Sequence, residues 1–144
     1  MTSQFRFEKL NIWRESRALN QSVYKLTRAF PKDELFAMTS QLRRAATSIV
    51  SNIAEGSGRN SDKDFAHFLE QAYGSLMETA SLIYLAKDES YVSDVELNSA
   101  KARIEKLAKG IASLNRSLKV SASKTPFCRA RSGLTLDPRP STLD

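Results

Sequence analysis

The side chains with the best claim to chemistry are Glu55 and Glu78. Both fall on predicted helices that could face each other, and facing glutamates together with Glu-x-x-His pairs hold two metals in ferritin-like bundles. The chain contains no Glu-x-x-His. Its nearest equivalent, Asp64-x-x-His67, occurs once and falls on the outer face of its helix. His67 is the only histidine and Cys128 the only cysteine, which excludes a zinc cluster and an intramolecular disulfide. Gly56-Ser57-Gly58 carries two glycines and follows a helix, so it reads as a left-handed helix cap, not as a phosphate-cradling loop. No catalytic residue, metal site or cofactor is expected, and no enzymatic activity.

Two polar seams are more informative. Gln41, Ser48, Asn52 and Glu55 recur along one flank of the second predicted helix. Gln71, Ser75 and Glu78 do the same on the third, until Leu82 ends the stripe. Stripes of small or uncharged polar residues suit a hydrated flank, or a close polar contact with another copy or a ligand. Gly74 lies beside the second seam, in mid-helix, where glycine costs about 1 kcal/mol relative to alanine. It faces away from the core, so close approach of another helix backbone would explain it. The basic candidates are Arg43 and Arg44 on the second helix, and Arg59 and Lys63 around the entry to the third. Phosphate could sit against the helix amides near Arg59 and Lys63. The plainer alternative has Arg43 or Arg59 in a structural ion pair with Glu55 or Asp62.

These residues need a frame, and the apolar periodicity supplies one. Ile12, Ser16, Leu19, Val23, Leu26 and Phe30 alternate at spacings of three and four, predicting a helix over 8–29. It ends at Phe30-Pro31, because proline disfavours helix at the residue before it. A second helix over 33–55 gathers Leu35, Met38, Leu42, Ala46, Ile49 and Ile53 on one face. A third, over 62–88, buries Phe65, Leu69, Ala72, Leu76, Ala80 and Ile83. A fourth, over 94–119, opens with the capping box Ser93-Asp94-Val95-Glu96 and continues through Ile104, Leu107 and Ile111. Four helices joined by short loops predict an all-α, antiparallel up-down-up-down four-helix bundle over 1–119. Residues 120–144 lose the period and read as a disordered basic tail.

Composition narrows the setting. No apolar run reaches the ~18 residues that would cross a membrane, and the N-terminus lacks a secretory pattern. The single cysteine suits a reducing cytoplasm. The net charge of +6 is compatible with nucleic acid, but residues 119–144 carry +3 of it, leaving the rest of the chain mildly basic.

The central segments QLRRAATSIVSNIAEGSGR (41–59) and KDFAHFLEQAYGSLMET (63–79), with FEKLNIW (7–13) and YKLTRAFPKDELF (24–36) before them, resemble the signature of the 23S rRNA intervening-sequence proteins. That family is also called the four-helix-bundle or ribosomal-protein-like family. The resemblance spans about residues 5–118. It departs at Val50, where many members have proline, and at Ala37, where many have glycine. It implies a bacterial four-helix bundle without enzymatic activity, and a homo-oligomer: some members form ring-shaped homopentamers. Many are encoded within insertions in 23S rRNA genes, while others stand alone. The accessory protein of diversity-generating retroelements is similar, a basic pentamer that works with a reverse transcriptase and nucleic acid. The expected partners are therefore further copies of the chain and RNA or another nucleic acid. A protein-interaction scaffold is the alternative, and a metal- or small-ligand-binding bundle the third reading.

Overall fold

The computed structural model describes residues 4–123. Among them the chain is all-helical and has no strand. Its four long helices are α1 (Asn11–Thr27), α2 (Ser40–Ser57), α3 (Asp62–Asp88) and α4 (Asp94–Ser123). Each buries the stripe its sequence spacing dictates. Ile12, Leu19 and Val23 of α1 meet Leu42, Ile49 and Ile53 of α2, Leu69, Leu76 and Ile83 of α3, and Ile104, Leu107 and Ile111 of α4 in one apolar core. α1 packs on α2 and α4, and α3 on α2 and α4. Buried hydroxyls turn back onto their own helices, as in Ser16 to the Trp13 carbonyl (2.7 Å) and Thr27 to that of Val23 (2.8 Å). This satisfies them without interrupting the core.

The helix starts follow from side-chain chemistry. Ser61 Oγ accepts the Asp64 amide at 3.1 Å to cap α3. At α4, Ser93 Oγ accepts the Glu96 amide (3.1 Å) while Glu96 returns a carboxylate to the Ser93 amide (3.0 Å), which is the reciprocal box read from the sequence. α3 ends with Tyr91 N–H donating to the Ala86 carbonyl and Ser90 N–H to that of Lys87, both at 2.9 Å. That is a Schellman closure with serine, at φ 65°, in the place glycine usually takes.

Several expectations need correction. The first helix does not begin at Glu8. Residues Arg6–Lys9 form a separate 3-10 turn, closed by the Glu8 carboxylate accepting the Phe5 amide at 3.0 Å, and Leu10 is extended between it and α1. α1 stops at Thr27, and 3-10 bonds tighten the chain down to Phe30. The second helix does not run unbroken from 33. A 3-10 turn (Lys32–Glu34) and a π turn (Leu35–Thr39) precede α2, and Ala37 leaves helical geometry altogether (φ −123°, ψ −105°). The break swings the first turn away from the core. Leu35, expected to be buried, is 48 % exposed, and its neighbour Phe36 is 94 % exposed.

The glycine-rich stop of α2 is not a left-handed cap: no glycine among the described residues has positive φ. Gly56 is needed for space, since a Cβ there would stand 2.7 Å from Phe68 Cβ and 3.0 Å from Phe65 Cδ1. The periodic end at 119 was also too early, because α4 continues through residues 120–123. The remainder of the proposed tail, with Cys128, lies outside the described residues.

Candidate functional site

The two polar seams come together at one point. Ser48 Oγ of α2 and Ser75 Oγ of α3 are 2.9 Å apart. Asn52 Nδ2 donates to both the Ser48 carbonyl (2.8 Å) and its hydroxyl (3.0 Å), and Thr79 Oγ1 donates to the Ser75 carbonyl at 2.8 Å. The result is a hydroxyl–amide cluster between α2 and α3, half-buried at Ser48, Asn52 and Ser75 and wholly buried at Thr79. The other seam residues point elsewhere. Gln71 pairs with His67 along its own helix (3.0 Å). Glu55 pairs with Arg59 (3.0 Å), while Gln41 and Glu78 are exposed.

The same contacts dispose of the carboxylate pair. Ser48 meets Ser75, and Gly56 meets Phe65 and Phe68. In that register Glu78 lies level with about residue 45 of α2, so Glu55 is ~15 Å away along the axes at 1.5 Å per residue. Among the described residues no three His, Cys, Asp or Glu side chains gather as a metal-binding group.

The four basic candidates are not one cluster. Arg43 fastens α1 to α2: its Nε donates to Thr27 Oγ1 at 2.8 Å, and its guanidinium lies 4.6 Å over the Tyr24 ring. Arg59 clips the α2–α3 loop, held by Glu55 and stacked 4.7 Å over Phe68. This is the structural pairing weighed above. Lys63 is exposed between Asp62 and Asp64, two carboxylates that oppose an anion at the start of α3. Arg44 is exposed on the wall of a shallow groove of about 640 Å³ that also holds Leu35 and Phe36.

The outer face of α3 is unusual for a solvent face. Tyr73, Met77, Tyr84 and Leu85, between 39 % and 48 % exposed, share with Gly74 and Ser81 an arc of about 120°. A Cβ added at Gly74 would meet nothing within 4 Å, so nothing inside the chain requires a glycine there. Two other exposed features were missed among the candidates. One is Phe36, revealed only by the backbone break at Ala37. The other is a row of exposed cations on α1 and its C-cap residue, Arg14, Arg17, Lys25 and Arg28 with Gln21 between them, legible in the sequence as spacings of three and four. Among the described residues two titrating groups are displaced, both at packing contacts. The Tyr91 phenol is raised by desolvation and then by Glu34, whose carboxylate accepts its hydrogen bond at 3.2 Å. Lys101 is raised by its hydrogen bond to Tyr84.

A four-helix fold with a polar seam, an apolar outer face and no metal-ligating group among its described residues defines a class of small helical proteins. Comparison narrows the class. The chain belongs to the 23S rRNA-intervening sequence protein family, whose model matches residues 8–113, as the resemblance of the central segments implies. A solved structure of a protein of unknown function from the S23 ribosomal protein family of Bacteroides thetaiotaomicron shares the fold. Its TM-score is 0.51 at 24 % identity, covering 79 % of this chain and 99 % of that one. No curated protein matches the chain.

Proposed function

We propose that the chain is a non-enzymatic, homo-oligomeric four-helix-bundle protein whose copies join through the outer faces of α2 and α3, and whose basic surface binds RNA or another nucleic acid. The observation that carries the assembly is the outer face of α3, where Tyr73, Met77, Tyr84 and Leu85 are exposed along the same arc as a glycine that the chain's own packing does not need. Half-exposed Tyr and Met side chains beside a small residue are suited to a helix-on-helix contact. The number of copies, five, rests on the family resemblance. The antiparallel up-down-up-down arrangement is supported by contacts whose numbers run in opposite senses: Thr27 with Arg43 and Asn20 with Thr47, Ser48 with Ser75 and Gly56 with Phe65, Glu70 with Lys119 and Lys87 with Asp94. Among the described residues no helix is long and apolar enough to cross a membrane. A cytoplasmic setting is part of the proposal, on the ground of a single cysteine in 144 residues.

Light scattering at tens of micromolar tests the assembly. The wild type is expected to be larger than a monomer, and Gly74→Leu should shift it towards monomer while helix content holds or rises, because leucine is the better helix former. A monomeric wild type overturns the proposal.

A second reading, a scaffold that captures a partner protein, is favoured by the Phe36 knob, since an aromatic side chain 94 % exposed beside a groove is a ready anchor. A pull-down from native lysate with and without nuclease separates the readings: a partner retained after nuclease supports the scaffold.

A further inference from the structure

We infer that the outer face of α1 is a docking surface for the phosphate backbone of a nucleic acid; this rests on the nucleic-acid reading above and assigns it a site that none of the four basic candidates supplies. Arg14, Arg17, Lys25 and Arg28 fall within an arc of about 80°, opposite the stripe that α1 buries. All four are exposed. The described residues contain four ion pairs, Arg59–Glu55, Lys87–Asp94, Lys106–Glu15 and Lys119–Glu70, and none involves this row. The one carboxylate on α1, Glu15, is already engaged by Lys106 at 3.4 Å. The row is therefore a strip of uncompensated positive charge.

Its members are also positioned. Arg14 Nη2 donates to the Asn11 side chain at 2.8 Å and to the Lys9 carbonyl at 3.3 Å. The Arg17 guanidinium lies 5.5 Å over the Trp13 ring. These contacts hold two guanidinium forks at one end while leaving N–H groups free for phosphate oxygens, which arginine binds in bidentate fashion. The cations form two pairs, Arg14–Arg17 and Lys25–Arg28, with centres ~16 Å apart along the helix at 1.5 Å per residue. That span covers about five phosphates at ~3.4 Å per nucleotide of one strand. Gln21, uncharged and exposed, sits in the gap, where it neither repels a phosphate nor blocks a strand. A membrane is the poorer fit, because interfacial helices insert an apolar face, and that of α1 is consumed by the core.

The test measures binding of fluorescein-labelled double-stranded and single-stranded RNA to the full chain by anisotropy, across a series of salt concentrations. The variants are the quadruple substitution Arg14→Gln/Arg17→Gln/Lys25→Gln/Arg28→Gln and a charge-matched control, Lys32→Gln/Lys109→Gln/Arg116→Gln/Lys119→Gln. Circular dichroism checks that both fold, as exposed positions predict. Each lost phosphate contact removes roughly 0.7–0.9 from the slope of log K against log salt, so the row variant should have a slope shallower by about 3 and bind roughly tenfold or more weakly at low salt. The control should keep most of the wild-type slope. Equal losses in the two variants, or an unchanged row variant, overturn the α1 site while leaving nucleic-acid binding standing. A wild type that binds neither RNA at low salt overturns the nucleic-acid reading itself. In that case, binding to phosphatidylserine vesicles that the row variant abolishes would assign the row to a lipid surface instead.

Discussion

Gly56→Ala is the most informative single substitution for the packing. On an exposed helix the change would stabilise by about 1 kcal/mol through helix propensity. Here the new Cβ would stand 2.7 Å from Phe68 Cβ, 3.0 Å from Phe65 Cδ1 and 3.4 Å from the Phe65 carbonyl. The nearest of these atoms is fixed to the α3 backbone, so a rotamer change cannot relieve the contact. The first turn of α3 would have to move off α2, and Phe65, which is almost wholly buried, would be levered from the core with it. Overpacking of this kind costs about 1–3 kcal/mol. With a backbone-anchored contact the upper end applies, and after the propensity gain the net loss should be about 2 kcal/mol. Urea unfolding followed by circular dichroism measures it, with protein concentration held constant so that any assembly contributes equally. Gly74→Ala, compared below the concentration at which copies associate, should go the other way by about 1 kcal/mol, since its Cβ meets nothing. A neutral or stabilising Gly56→Ala would refute the close approach of α2 and α3 at that glycine.

Three further outcomes follow. Leu107→Ala should cost about 2–5 kcal/mol, because Leu107 is wholly buried between α4 and the other helices; a loss below about 0.5 kcal/mol, the size of a surface effect, would mean α4 packs differently. Ser90→Gly should raise the thermal midpoint, since relief of the left-handed conformation, worth about 1–2 kcal/mol, exceeds the added chain entropy of glycine, about 0.5–1 kcal/mol. The Tyr91 phenol, raised by desolvation and by Glu34, favours the protonated form when folded. Its contribution is complete below the ordinary tyrosine pKa of about 10 and is lost as pH rises through the folded value, so Tyr91→Phe should soften the fall in thermal midpoint above about pH 10 relative to wild type.

The four-helix fold was legible because three- and four-residue apolar spacing persists through every long helix, and because Ser61 and Ser93 mark two starts by side-chain chemistry alone. The failures have physical causes. Leu35 continues the helical arc of Met38 and Leu42 without a gap, and Ala37, itself a good helix former, gives no local sign that the backbone turns aside there. Gly56 looked like a cap because it stands at a helix end. Its reason is steric, and the atoms that supply it belong to another helix.

Periodicity assigns a residue to a face of its own helix, and says nothing about how far one helix has slid along its neighbour. That offset decides which seam residues meet. It brings Ser48 to Ser75, leaves Asn52 to close the cluster, sends Gln71 to His67, and separates Glu55 from Glu78 by several turns. The same reasoning explains why the basic surface proposed on α1 is simpler than the candidates first singled out. Arg43 and Arg59 were singled out as basic residues on the second helix and at the entry to the third, yet both have ring and polar partners that define their place in the fold. The α1 row needs no register to assemble, since one helix and its C-cap residue carry all of it. A surface written on a single helix can be read from spacing alone, whereas a site shared between helices has to wait for the packing that joins them.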